Sequence, residues 1–490
     1  MNYRLLVIDE GTSSTRAMLF DTAGQCLGLA QNPLTTTFPQ PGWVEQDAAE
    51  IWRLTLAVAR QMVAKAGGAG GVAGIGITNQ RETLVCWDRR TGEPLGPAIV
   101  WQDRRTAGLC SGFKDRGCEG ILQQKTGLLL DPYFSGSKIC WALENWPQLR
   151  QAGDTLCVGT VDSWLVFKLT GGAHLTDATN ASRTALMDIQ NGWDSELLDL
   201  FGVPRASLPE ITDSAGNFGE TQADLFGGPI PICGIAGDQQ AAAIGQACFG
   251  PGETKATYGT GAFILSQAGT KMPRSDNRLL STIACQIRGE RQYALEGSLF
   301  VAGRMMQWLR DELRMVDAAP ESEAIAGSVP DSGGVQIVPA FAGLGAPHWD
   351  PEARAAIIGL TLGSGKAQVV RAALEAVANQ TAELQAAFAA DGVTWSKLRI
   401  DGGMSANGFL AQDLADLLGL DVERPANVET SALGAAMLAG VGCGLFATLA
   451  EAADAVRGPV ARFSPGSNPA ARKERMARWG KAVAAVRAMA

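Results

Sequence analysis

The stretch Leu5-Leu-Val-Ile-Asp-Glu-Gly-Thr-Ser-Ser-Thr-Arg-Ala-Met-Leu-Phe20 decides how the rest of the chain is read. An apolar, β-branched run ends in an acid. A turn of small residues follows, and a second apolar run closes the segment, so the pattern predicts strand, tight turn, strand. Gly11 lets the backbone approach a ligand, and Thr12, Ser13 and Ser14 offer hydroxyls and backbone N–H donors. Asp9 stands at the mouth of the turn, where a carboxylate can hold a hydrated Mg2+. Two readings are open here: a phosphate-binding hairpin or an ordinary polar turn.

The same grammar returns later. Lys255-Ala-Thr-Tyr-Gly-Thr-Gly-Ala-Phe-Ile-Leu265 again reads as strand, glycine turn, strand. A third glycine turn, in Leu398-Arg-Ile-Asp-Gly-Gly-Met-Ser-Ala-Asn407, follows a strand and opens a helix. The chain has neither a glycine-rich loop ending in Gly-Lys-Ser/Thr nor a Gly-x-Gly-x-x-Gly turn after its first strand. A nucleotide would therefore be held by hairpins from two halves, with Thr12 and Thr260 on facing turns. Gly303, Gln307, Gly403 and Asn407 would complete the set.

With 490 residues the chain has room for two or three domains with full cores. A net charge of −9 argues against a nucleic-acid or membrane-surface partner. No signal-like opening and no apolar run of membrane length occur, so the expectation is a soluble, cytoplasmic protein. Ten scattered cysteines without a Cys-x-x-Cys pair fit neither a zinc site nor a disulfide scaffold. Only two histidines, His174 and His348, are present, so acid/base work falls to carboxylates.

Periodicity predicts a helix over 48–66, a strand over 72–78 and a return strand over 83–87. Helices are expected over 136–149, 161–169 and 241–247, with a buried strand over 229–236. Gly250-Pro-Gly252 is the clearest break, and it places the domain boundary between residues 248 and 249. The second half repeats the first, with strands over 281–287 and 292–296 and helices over 300–312 and 366–390. A basic amphipathic helix over 471–488 reads as a solvated face packed on the body. Strands alternating with helices in two related halves make an α/β protein.

Two further clusters could carry chemistry. Arg81 and Glu82 at a strand end, with Trp101 nearby in sequence, mix fork donors, carboxylate acceptors and an apolar face. A polyol needs that mixture, because each hydroxyl both donates and accepts; a surface ion pair is the plain alternative. Asp238-Gln239 opens a helix, so Asp238 reads first as an N-cap and also as a general base for an attacking hydroxyl, two roles that are compatible.

Taken together, the segments resemble the glycerol kinases of the FGGY carbohydrate kinase family from about Tyr3 to about Phe446. The stretches that carry the resemblance occur in this order: Asp-Glu-Gly-Thr-Ser-Ser-Thr-Arg16, Gln-Pro-Gly-Trp-Val-Glu45, Thr-Asn-Gln-Arg-Glu-Thr83, Ala-Ile-Val-Trp-Gln-Asp-Arg-Arg-Thr106, Asp-Pro-Tyr-Phe-Ser-Gly136, Thr-Asp-Ala-Thr-Asn-Ala-Ser-Arg-Thr184, Gly-Ile-Ala-Gly-Asp-Gln-Gln-Ala241, Thr-Tyr-Gly-Thr-Gly261 and Gly-Leu-Gly-Ala-Pro347. The resemblance implies two actin-like ATPase (ribonuclease H-like) domains, 1–248 and 249–490, with a cleft between them. It implies ATP-dependent phosphorylation of glycerol with Mg2+, by a homodimer or homotetramer. Carried over by position, Arg81, Glu82, Trp101, Tyr133, Asp238, Gln239 and Phe263 fall on the polyol site, with Asp238 as base. Asp9 and Asp238 fall where metal and phosphoryl group meet. Thr12, Ser13, Ser14, Arg16, Thr260, Gly303, Gln307, Gly403 and Asn407 fall on the nucleotide site.

Three departures from the family pattern stand out. Glu10 replaces the usual Gln, and an extra carboxylate beside the phosphate turn is expected to repel ATP or raise the Mg2+ requirement. Asp224-Leu-Phe-Gly-Gly-Pro229 is short and lacks Arg and Lys, where some members carry a basic loop that binds fructose bisphosphate, so no such inhibition is expected. Some members are activated through a phosphorylated histidine in that region, and none lies between His174 and His348. His348 takes a place usually held by Tyr and reads as structural. The rival readings are a kinase for a longer polyol such as erythritol and a non-catalytic ATP-binding switch of the same fold.

Overall fold

Leu5, Leu6, Val7 and Ile8 are all buried, because the strand they form has a covered sheet face on either side. Leu6 and Ile8 point with Ala17 and Leu19 towards the helix Ala48–Lys65. Leu5 and Val7 point with Met18 and Phe20 the other way, into a core shared with Ala432, Ala435, Ala436 and Ala439. The computed structural model describes residues 3–350, 352–466 and 468–489.

The first sheet has five strands: β1 (Arg4–Glu10), β2 (Ser14–Asp21), β3 (Cys26–Pro33), β4 (Gly74–Asn79) and β5 (Ile232–Gly237). Their order is β5-β4-β1-β2-β3. β1 pairs antiparallel with β2 and parallel with β4, and β4 pairs parallel with β5. The second sheet has seven: β6 (Glu253–Tyr258), β7 (Ala262–Gly269), β8 (Leu280–Ile287), β9 (Glu290–Leu299), β10 (Lys397–Asp401), β11 (Val422–Pro425) and β12 (Val460–Phe463). Their order is β8-β9-β7-β6-β10-β11-β12. The hairpin β6–β7 stands where β1–β2 stands, and the parallel strands β10 and β11 stand where β4 and β5 stand. This internal repeat is the one expected from the glycine turns.

The register delivers the site. Glu10 pairs with Asn79, and Asn79 with Gly237. Asp9, the segment Gln80–Glu82 and Asp238 therefore leave the carboxyl ends of three adjacent parallel strands together, which is where open α/β sheets bind ligands.

The two halves interlock. The helix Thr430–Gly442, apolar all round, belongs to the second half yet covers the first sheet. Small residues let it approach the helix Asp238–Gly245 closely: a Cβ on Gly434 would stand 1.8 Å from the Ala241 carbonyl oxygen.

One expectation fails. The strand Leu84–Asp88 does not return along β4 but pairs antiparallel with Leu156–Thr160 in a separate small sheet. A tight turn redirects the chain, with Thr83 N–H on the Arg81 carbonyl at 2.8 Å and Glu82 at φ +62°. The C-terminal helix Pro469–Ala488 packs on the body through Trp479, Ala482, Val483 and Val486, as its amphipathic pattern suggests. All ten cysteines are free thiols, most of them buried.

Candidate active site

Asp238 is the first residue of its helix, not the N-cap; that position belongs to Gly237. Its side chain remains about one-third exposed, and its Oδ1 lies 3.3 Å from Arg81 Nε. Its Oδ1 also accepts from the Gln239 amide at 2.7 Å, so the carboxylate serves the first turn of the helix while staying partly open.

Arg81 is buried and fully engaged. Its Nη1 donates to Glu296 Oε2 at 2.6 Å and to Gln240 Oε1 at 3.2 Å. Its Nη2 donates to Glu296 Oε1 at 3.1 Å and to the Tyr133 hydroxyl at 3.4 Å. Arg183 Nε donates to Glu82 Oε1 at 2.6 Å, and its Nη2 to Glu296 Oε1 at 2.9 Å. Burial pushes the Glu296 carboxyl up, but Arg183 and Arg81 overcome it and hold the group at about 2. Burial wins at Glu82, whose carboxyl is raised despite Arg81 and Arg183. The alternative of a surface ion pair is excluded by this burial.

Glu82 also sits at φ +62°, which costs a non-glycine residue about 1–3 kcal/mol. Ser135 Oγ holds the strained unit by donating to the Glu82 carbonyl at 3.0 Å.

Aromatic rings wall the same space. Trp101 stacks edge-on to Tyr133 at 5.7 Å and to Phe263 at 6.2 Å. Phe263 comes from the second hairpin, and Trp101 Nε1 donates to Thr12 Oγ1 of the first at 2.9 Å. A short chain of contacts thus joins the two glycine turns across the halves. Gln239 is held by the Nζ of buried Lys255, on β6. All seven residues expected around a polyol are therefore in one neighbourhood.

The residues expected around a nucleotide fall into two sets, one at each glycine hairpin. The Gly11 amide closes the first turn on the Ser14 carbonyl at 3.0 Å. Thr12 is half-buried and Ser13 exposed, while Ser14 Oγ accepts from Gln31 Nε2 at 2.9 Å. Arg16 is the cross-strand partner of Asp9 and ion-pairs with it; its Nη1 donates to Glu429 Oε2 of the second half at 2.7 Å. Burial raises the Asp9 carboxyl, with Arg16 opposing. Thr260 is exposed, and its carbonyl accepts from the Ala302 and Arg304 amides at 2.9 and 3.1 Å. Gly303 packs so tightly that a Cβ would lie 2.5 Å from the Gly259 carbonyl oxygen. Gly402 likewise lies against Tyr258, which brings the third glycine turn to the same end. Gly403 faces open space, and Gln307 Oε1 accepts from Arg304 Nη1 at 3.1 Å. Asn407 is committed to capping the helix Gly408–Leu418, its Oδ1 accepting from the Leu410 amide at 3.0 Å.

Residues 4–245 match the N-terminal domain of the FGGY family of carbohydrate kinases, and residues 254–443 match its C-terminal domain. The chain belongs to the FGGY family of carbohydrate kinases. Among relatives in this family, a glycerol kinase of Methylobacterium nodulans is 53% identical over 99% of this chain and 98% of its own length. One of Rhodospirillum rubrum is 55% identical over 91% of this chain and 92% of its own. The crystal structure of Plasmodium falciparum glycerol kinase with ADP superposes with a TM-score of 0.94 at 36% identity, covering 99% of this chain and 98% of that one. A gluconate kinase of Lactobacillus acidophilus, 21% identical over 100% of this chain and 99% of its own, shares the FGGY fold with a TM-score of 0.91.

Glu10 requires a correction. It is fully buried and points away from the first glycine turn, because neighbouring side chains on a strand face opposite ways. Its Oε2 accepts from Thr55 Oγ1 of the helix Ala48–Lys65 at 2.8 Å. The carboxyl therefore cannot repel ATP or hold Mg2+ directly. His348 ties its loop to the long helix Lys366–Ala390 through Glu383, at 2.8 Å.

Glu296, Arg183, Lys255 and Glu429 were not singled out from sequence. A glutamate inside the apolar run Tyr293-Ala-Leu-Glu-Gly was the only local signal for Glu296. Among the described residues no helix is long and apolar enough to cross a membrane.

Proposed function

We propose that this chain phosphorylates a terminal hydroxyl of glycerol at the expense of ATP, yielding glycerol 3-phosphate and ADP. The observation that carries the reading is the match to glycerol kinases at more than half identity over nearly the whole chain. The site chemistry supports it. Asp238, the one partly exposed carboxylate of the Arg81 cluster, orients the hydroxyl and takes its proton. Arg81, Glu82 and Gln239 supply the mixed donors and acceptors a polyol needs, and Trp101, Tyr133 and Phe263 cover its C–H faces. Thr12, Ser13, Ser14, Arg16, Thr260, Gly303, Gln307, Gly403 and Asn407 belong to the nucleotide end. There the turn amides and the Arg16 guanidinium meet phosphate oxygens.

Among the described residues no group of three or more His, Cys, Asp or Glu could hold a metal ion. Asp9 and Asp238 form a two-carboxylate set, which fits a hydrated Mg2+ whose other ligands are water and ATP phosphates. Bound there, Mg2+ would neutralise charge on the β- and γ-phosphate oxygens. The chain's own part is positioning: Arg16 holds Asp9, Arg81 holds Asp238, and the closing halves exclude water. The working division is 1–248 for the polyol and phosphate side and 249–490 for the nucleotide side, in a cytoplasmic homodimer or homotetramer.

A coupled ADP-release assay with MgATP tests the reading against glycerol, erythritol, xylitol, dihydroxyacetone and no acceptor. Strong glycerol-dependent turnover supports it. Turnover with a longer polyol alone moves the specificity to the walls at Trp101, Tyr133 and Phe263. Equal ADP release with and without acceptor overturns it.

A further inference from the structure

One carboxylate on the other half of the molecule reaches Arg81 directly and Glu82 through Arg183. Glu296 lies on β9, whereas Arg81, Glu82 and Arg183 belong to the segments around the first sheet. The Glu296 carboxylate takes both terminal nitrogens of Arg81 as a fork, at 2.6 and 3.1 Å. Its Oε1 also accepts from Arg183 Nη2 at 2.9 Å, and Arg183 Nε in turn holds Glu82 at 2.6 Å. With both terminal nitrogens of Arg81 held in place, the Nε edge is the part that faces Asp238, at 3.3 Å. All four side chains of the network are at most 2% exposed.

We propose that Glu296 is a positioning residue for phosphoryl transfer to the polyol: from the second half it fixes Arg81 directly and Glu82 through Arg183. The argument is geometric. An arginine fork accepts a carboxylate in one plane, so the Glu296 contact sets the guanidinium plane and with it the direction of Nε. Removing the carboxylate leaves two buried guanidiniums facing a single glutamate, and the cluster must rearrange or admit water. Either change displaces groups that hold the acceptor hydroxyl, and small displacements there are costly in rate. The nucleotide turns share none of these contacts. This inference rests on the reading of Arg81 and Glu82 as polyol ligands.

The test is steady-state kinetics of the full chain with glycerol and MgATP varied independently. Glu296→Gln, which keeps the shape and removes the charge, is expected to raise the glycerol KM at least ~10-fold and lower kcat, with the ATP KM within about 2-fold. Glu296→Asp, which keeps the charge, is expected to recover part of the loss. ADP binding and the thermal midpoint report on folding. Should Glu296→Gln not fold, Arg183→Lys keeps charge and loses the fork, and the same glycerol-selective loss is expected. Equal rises in both KM values, or none, overturn the proposal. Arg81→Lys separates the two readings. If it leaves the glycerol KM unchanged, the polyol reading itself fails. If it raises that KM while Glu296→Gln does not, only the role of Glu296 fails.

Discussion

Thr55 Oγ1 donates a hydrogen bond to Glu10 Oε2 across 2.8 Å, beneath the helix Ala48–Lys65 and away from the cleft. Burial, with Asp9 adding to it, pushes the Glu10 carboxyl up to about 8, against hydrogen bonds from Thr15 and Thr55. At neutral pH the group is therefore mostly a neutral acid, close in shape and polarity to a carboxamide.

Stability should depend on pH through this residue. The unfolded chain loses the Glu10 proton near 4.5, whereas the folded protein keeps it to about 8. Between these values the folded state holds the extra proton, so its stability falls as pH rises, by at most ~1.4 kcal/mol per pH unit. Glu10→Gln removes the effect. Thermal midpoints of the two proteins should be close near the acidic end of the window and diverge towards pH ~8, the variant being more stable. Parallel curves would refute this. The Mg2+ and ATP dependence of the rate should not change.

Asp238→Asn keeps the shape of a partly exposed side chain, so the fold should survive. Turnover should drop by at least ~10², since a positioned base typically contributes about 10²–10⁴. Single-turnover measurement with glycerol and MgATP checks this, and circular dichroism checks the fold. An amide variant with near-normal turnover would remove Asp238 from the base role.

Gly303→Ala and Gly403→Ala should separate packing from ligand contact. A Cβ at residue 303 meets the Gly259 carbonyl oxygen at 2.5 Å, so the turn must shift, costing ~1–3 kcal/mol and lowering the thermal midpoint. A Cβ at residue 403 meets nothing within 4 Å, so the midpoint should hold. If the nucleotide occupies that open space, the ATP KM should still rise several-fold. An unchanged KM would remove Gly403 from the nucleotide end.

Fructose bisphosphate should not inhibit. The segment Asp224–Pro229 closes a short helix on Gly227, at φ +75°, and carries no cation of its own. Arg60, contributed by a neighbouring helix, has its Nε on the Leu225 carbonyl at 2.9 Å. The segment itself offers two phosphate groups no arginine or lysine, and Arg60 is a single cation beside it. Inhibition in the micromolar range would contradict this.

The sequence by itself determined the parts whose signals are local. Alternation and turn chemistry marked both glycine hairpins, and the Ala-rich pattern matched the helix Lys366–Ala390 end to end. These follow from backbone geometry repeating every two or 3.6 residues, which neighbours along the chain suffice to reveal. Tertiary structure alone decided which face each strand residue meets and what lies across it. Glu10 read as a cleft residue until the covering helix turned it into a core acid. The segment 83–87 read as a return strand until the turn at Glu82 sent it to another sheet. Arg81 and Glu82 were legible as a pair, but Glu296 is more than two hundred residues away in sequence, and nothing local encodes that contact. Two buried guanidiniums settle on one carboxylate because the fold brings the turn after β4, the segment at Arg183 and the strand β9 to one place.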